Sequence, residues 1–216
     1  MTQSPLSDSA PARWVRALTP EQRAALPRPT RFRFLGRTSV DLVMTGGEGW
    51  LDAWEVLHEP ADLDRWLAAG ALAVPAADAG TGRPPADGAD LAAARALREA
   101  IRSAVEAMLL GRLPAAADVE AIDAAATVAP LVPRVDPRTG ERSWWRPTAR
   151  AALSDVARDA LELIADRAQW RRLRICASDD CGLLFYDASR PGRRRWCSTE
   201  RCGDRNRAKA YRARKG

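Results

Sequence analysis

The sequence predicts an α+β chain: a mainly helical N-terminal domain with one or two β-hairpins, followed by a small C-terminal module pinned by cysteines. Three observations predict it. Apolar residues recur at helical spacing through Leu91, Ala94, Leu97, Ile101, Val105, Met108 and Leu109, and again through Leu153, Val156, Ala160, Leu161, Ile164 and Ala168. Short alternating runs bounded by turn residues mark candidate hairpins. All four cysteines, Cys176, Cys181, Cys197 and Cys202, fall near the C-terminus as two Cys-x4-Cys pairs.

In chain order, residues 1–29 read as a flexible leader with one short helix. Thr19 is a cap residue, Pro20 suits the first helical position, and Pro27 and Pro29 end the turn. The mainly helical domain is expected over 30–170. It opens with strands at Phe32 to Leu35 and Val40 to Met44, joined at Gly36-Arg37. Gly46-Gly47-Glu48-Gly49 looks like a phosphate loop but lacks the Gly-Lys-Ser/Thr ending, so a turn is the reading. Trp50, Trp54 and Leu57, then Leu63, Trp66 and Leu67, fit two short helices, the second stopped at Gly70. Residues 76–88 have linker composition. The long helix is expected from a cap at Asp90 to about Gly111, and a second over Ala115 to Ala126. Leu131 to Val135 and Glu141 to Trp145 flank a Pro-Arg-Thr-Gly turn and read as a hairpin. Thr148 caps a helix expected to run through Trp170 and lead directly into the cysteines.

Two close cysteine pairs separated by a loop can each form one arm of a tetrahedral zinc shell. Two disulfides suit a secreted chain, but the polar start TQSPLSDSAPAR offers no apolar signal core. Redox pairs favour Cys-x-x-Cys, and buried thiols would not cluster as equal pairs. One structural zinc per chain is therefore the preferred reading.

Charge is segregated along the chain. Residues 170–216 hold 14 Arg/Lys against 5 Asp/Glu, a net of +9, while residues 1–169 hold 20 against 23, a net of −3. A local field of that kind attracts polyanions, and DNA is the expected partner. No apolar run approaches the length of a membrane span, so no membrane association and a cytoplasmic location are expected. The sole histidine, His58, has no nucleophile or carboxylate set around it, four sulfurs leave a zinc no open position, and no enzymatic activity is expected.

Within 171–216 the residues suggest a treble-clef-like zinc finger. Cys176 to Cys181 forms a knuckle, Leu183 to Tyr186 and Arg194 to Cys197 pair as a hairpin around Ser189 to Gly192, and Cys202 falls in the first turn of a basic helix. Arg201, Arg205, Lys209 and Arg212 then line one face, with Asn206 beside it. Together with Arg190, Arg193, Arg194 and Arg195 they form the expected nucleic-acid surface.

The run Cys-Ala-x3-Cys-Gly, Phe185 to Arg190, Arg194-Arg195-Trp196-Cys197-Ser198, and Cys202-Gly203-Asp204-Arg205 closely resembles the CGNR zinc finger. This chain carries Asp204 where the family's name has asparagine. The substitution leaves Cys202 intact and places a carboxylate where it can repel a phosphate or accept from a cytosine amino group. Phe32-Arg-Phe34-Leu-Gly36 with Val40-Asp41-Leu42-Val43-Met44-Thr45 resembles the N-terminal signature of the ABATE domain. The resemblance implies a bacterial stress-induced transcription regulator. Its N-terminal domain would then sense a small-molecule effector or mediate association as a homodimer. Trp50, Trp54 and Trp66 are the candidate pocket, against the plainer reading of core tryptophans. An RNA-binding zinc protein is the alternative, and a ligand-binding or enzymatic domain with a zinc tail comes third.

Overall fold

The computed structural model describes residues 34–76, 83–178, 181 and 183–215, without the side chains of residues 49, 50 and 53. The expected leader helix and the residues around Phe32 lie outside that range. The ordered elements are α1 (Thr38–Val43), a 3₁₀ turn (Gly49–Trp54), α2 (Pro60–Ala69), α3 (Gly88–Leu109), α4 (Ala116–Ala126), β1 (Val132–Val135) and β2 (Arg142–Trp145). Then come α5 (Ala149–Ala165), α6 (Arg167–Trp170), β3 (Leu173–Ile175), β4 (Leu184–Tyr186), a π turn (Thr199–Gly203) and α7 (Asp204–Lys215).

The expected strand at Val40 to Met44 is instead helix α1. Ser39 to Val43 are all buried. A short segment buried on every side, Ser39 and Asp41 included, has no burial period to separate strand from helix, so the apolar/polar alternation around Asp41 misassigns it. Gly36, at φ +107°, turns the chain into this helix.

α3 starts earlier than expected. Asp87 is the N-cap and accepts from the Asp90 N–H at 2.8 Å, while the Asp90 carboxylate accepts from the Asp87 N–H at 3.3 Å, a reciprocal capping box. Thr148 caps α5 as expected, accepting from the Ala151 N–H at 3.0 Å. α5 does not run on through Trp170. Asp166 leaves the helical region and its side chain caps the single turn of α6.

α3, α4 and α5 pack on one another with α1 set against α3 and α5, and Leu42, Val43, Leu57, Leu63, Trp66, Ala104, Val105, Ile122, Val156 and Ala157 fill the core. Burial at this scale contributes about 25 cal/mol per Å² of apolar surface. The stretch expected to loop out as a linker contributes a core residue. Arg83 is 0 % exposed and donates to the Asp64 carboxylate and to the Pro84 carbonyl at 2.8 Å. A guanidinium is tolerated there because it is paired.

Two antiparallel hairpins are present. β1 and β2 pair where expected, with Val132 opposite Trp145 and Val135 opposite Arg142. The finger's hairpin differs: β4 pairs with β3 upstream of Cys176, Leu173 opposite Tyr186 and Ile175 opposite Leu184. Residues 194–197 form no strand. The knuckle therefore closes the hairpin rather than preceding it.

The finger is seated on the helical domain along Leu35 to Arg37 and the α5–α6 end. The Leu35 carbonyl accepts from the Tyr186 N–H at 2.8 Å, extending the finger's hairpin by a residue. Arg37 clamps the seat, donating to Asp159 at 3.0 Å and to Gln169 at 2.7 Å, and the Tyr186 hydroxyl donates to the same Gln169 oxygen at 3.0 Å. A Cβ at Gly36 would lie 2.6 Å from the Tyr186 carbonyl oxygen, so only glycine allows this approach.

Candidate metal centre and basic helix

Each cysteine reaches the centre from a different piece of local structure. Cys176 ends β3, Cys181 closes the knuckle, Cys197 follows the Arg193 to Trp196 loop, and Cys202 lies in the π turn. The four sulfurs lie within 4.8 Å of one another. Cys197 Sγ is 3.7 Å from Cys181 Sγ and 3.7 Å from Cys202 Sγ. A disulfide requires about 2.05 Å. A tetrahedral zinc with Zn–S near 2.3 Å requires sulfurs about 3.8 Å apart, so the donor set fits one zinc.

Electrostatics make the same demand. Thiol donors from Cys181 and Cys197 pull Cys176 down to about 2, while Cys176 beside it pushes Cys197 up to about 12, and Cys181 is raised by the same two neighbours. Like charges this close cannot all ionise alone. A divalent cation is what allows four thiolates, and it supplies folding energy to a module with a small core. Cys176, Cys197 and Cys202 are buried, and they join the same apolar cluster as Leu183, Leu184 and Phe185.

Asp187 organises the loop between the cysteine pairs. It is 0 % exposed and accepts from the Ser189 N–H at 3.0 Å, the Ser189 hydroxyl at 2.6 Å and the Arg194 N–H at 2.8 Å. Burial pushes its pKa up, but these donors outweigh it and hold the carboxyl below the usual range. The Asp-x-Ser pattern at 187–189 is the Asx-turn signal that could have revealed it.

The expected nucleic-acid residues divide into two groups. Arg190, Arg193 and Arg195 are exposed on the loop, Arg195 lying 5.0 Å over the Trp196 ring. Lys209 and Arg212 are exposed on α7. Three others are engaged inside the finger. Arg194 stacks 5.3 Å over Phe185 and donates to the Cys197 carbonyl at 2.8 Å. Asn206 donates to the Ser178 hydroxyl at 2.8 Å and the Cys202 carbonyl at 2.7 Å. Arg205 donates to the Cys202 sulfur at 3.4 Å. Arg201, half-buried, sits in the π turn, so the expected helical line from Arg201 to Arg205 is broken by a wider turn. Within α7 the line continues as Arg205, Lys209 and Arg212.

Asp204 starts α7 and pairs with Arg207. A carboxylate in the first turn suits the helix dipole. Arg207 was not among the expected contacts, and its role here is to neutralise Asp204.

Of the expected pocket tryptophans, Trp54 is 9 % and Trp66 is 2 % exposed, both packed in the core, and the Trp50 side chain lies outside the described residues. A cleft of about 660 Å³ lies instead against Gly47, Glu48, Asp52, His58, Arg95 and Glu99. Gly47 bounds it at φ +145°.

Family models match this geometry in the same order. Residues 36–167, more than half of the chain, match the ABATE model, described as "Putative stress-induced transcription regulator". The chain belongs to the ABATE family. Residues 172–215 match the CGNR zinc finger. The boundary between the two matches falls within the α6 to β3 connection, where α5 hands the chain to the finger. No curated protein matches the chain. In this ABATE protein no described helix is long and apolar enough to cross a membrane.

Proposed function

We propose that the chain is a transcription regulator that holds α7 against duplex DNA by means of a structural zinc, with the ABATE domain as its sensing or association platform. One observation carries the reading. α7 is a 12-residue helix, DRNRAKAYRARK, with six basic residues and none buried. A helix polar on all sides buries no apolar stripe in the protein's own core and leaves its whole basic surface open to a partner. Its cations can lie along phosphates, with Lys209 and Arg212 free to approach base edges. The family description supports the reading at the level of regulation.

No catalytic role is proposed. His58 is exposed, and its backbone N–H, not its ring, donates to the Asp62 carboxylate as part of the α2 cap. Asp62 and Asp64 are likewise occupied, one as a cap and the other on Arg83.

Fluorescence anisotropy with a duplex oligonucleotide across a salt series tests the proposal. Binding should be present at 50 mM salt, weaken at least about 100-fold by 200 mM, and vanish after chelation. Indifference to salt or to chelation would count against it, and preference for single-stranded RNA over duplex would transfer the reading to RNA.

A further inference from the structure

We propose that the β1–β2 ribbon is a second DNA-contacting surface, acting alongside the finger; the proposal rests on the reading of α7 given above. Both strands are almost wholly solvent-facing. Every residue of β1 is exposed, and in β2 only Trp144 is half-buried. A two-stranded hairpin that leaves Val132 52 %, Val135 60 % and Trp145 52 % exposed has an unpartnered surface.

Register and alternation divide its faces. Trp144 and Arg142 share the inward face, where the indole N–H donates to the Leu72 carbonyl at 2.9 Å and the guanidinium lies 4.1 Å over the ring. Val132, Arg134, Ser143 and Trp145 share the outward face. There the Trp145 indole has Arg134 at 5.0 Å and Arg146 at 6.0 Å from its ring. Arg146 takes φ +42°, uncommon outside glycine, and belongs to this cluster at the exit of β2. An exposed indole between two guanidiniums offers stacking and phosphate contacts together.

Charge selects the occupant. Residues 34–130 hold 7 Arg/Lys against 15 Asp/Glu, a net of −8, whereas residues 131–147 hold 4 against 2, a net of +2. The ribbon is a basic island beside an acidic body, which suits a polyanion. β-ribbons are an established way of entering a DNA groove, and apolar side chains can wedge between base steps. The ribbon precedes α5 and the finger follows it. The seventeen-residue helix between them is itself about 25 Å long, a span of roughly seven base pairs of duplex.

Two variants of the full, zinc-loaded chain test this: R134A/R138A/R146A in the ribbon and R193A/K209A/R212A in the finger. All six side chains are exposed, so zinc content and the melting temperature should match the wild type. Each phosphate contact contributes about −0.9 to the slope of log K against log salt. The ribbon variant should therefore flatten the slope by roughly 2 to 3, comparably to the finger variant, and W145A should shorten the hydroxyl-radical footprint on one side. A ribbon variant with the wild-type slope, while the finger variant loses affinity, would overturn the inference and leave the finger reading standing. A ribbon variant that instead abolishes self-association in sedimentation, with an unchanged slope, would assign the surface to a second copy of the chain and overturn it equally. Absence of wild-type binding to duplex would sink both readings.

Discussion

Asp41 sits in the middle of buried α1, 4 % exposed, and its carboxyl accepts from the Leu35 N–H. Burial raises its pKa to about 7, with the Asp159 carboxylate adding to the rise and the Leu35 bond opposing it. A raised acid binds its proton more tightly in the folded state. Its stabilising contribution is thus full below the unfolded value near 4 and is lost as pH climbs through 7. Between pH 5.5 and 8 the wild type should lose roughly 2 kcal/mol on this account, read by urea unfolding, and D41N should lack that slope. Asn206 is a second test at this scale. It was expected to contact nucleic acid, but its carboxamide ties α7 to Ser178 and the π turn. N206A should lower the melting temperature and cost about 1 kcal/mol, whereas a residue serving only DNA would leave stability unchanged.

At the scale of elements, the sequence carried most where a local rule has a single physical solution. Thr148, the α3 periodicity and the Pro-Arg-Thr-Gly turn each specify one local structure, and all three form, α3 with its cap three residues earlier at Asp87. The four zinc ligands were equally legible, because spacing alone brings four sulfurs to one point. Val40 to Met44 was not, since a run buried on every side, Asp41 included, has no period. β4's partner was not legible either. Leu183 to Tyr186 has two possible neighbours, Leu173 to Ile175 upstream and Arg194 to Cys197 downstream, and local alternation does not choose between them. Sequence remoteness hid Arg83, whose burial depends on an aspartate on α2. Asn206 and Arg194 illustrate a different limit: composition marks a polar residue as a ligand contact, while geometry can engage it in holding the ligand-bearing turn together.

For the whole molecule, the sulfur centre and the helical core are continuous, since Cys176, Cys197 and Cys202 share one apolar cluster with Trp170 and Leu163. Yet the finger meets the helical domain chiefly along Leu35 to Arg37 and the α5–α6 end. Removing zinc should therefore loosen the chain unevenly. Hydrogen exchange after chelation is expected to accelerate across residues 171–215 and to leave α3, α4 and α5 protected. Uniform acceleration across the whole chain would instead show that the metal supports the entire fold.

α7 buries none of its twelve residues. Among the described contacts, what constrains its lettering is helix propensity, the Asp204–Arg207 pair and the Asn206 and Arg205 ties at its base. Substitutions along its outer length exact no toll on folding, so on the proposed reading a lineage could retarget such a helix one residue at a time while the four-cysteine scaffold beneath it stayed the same.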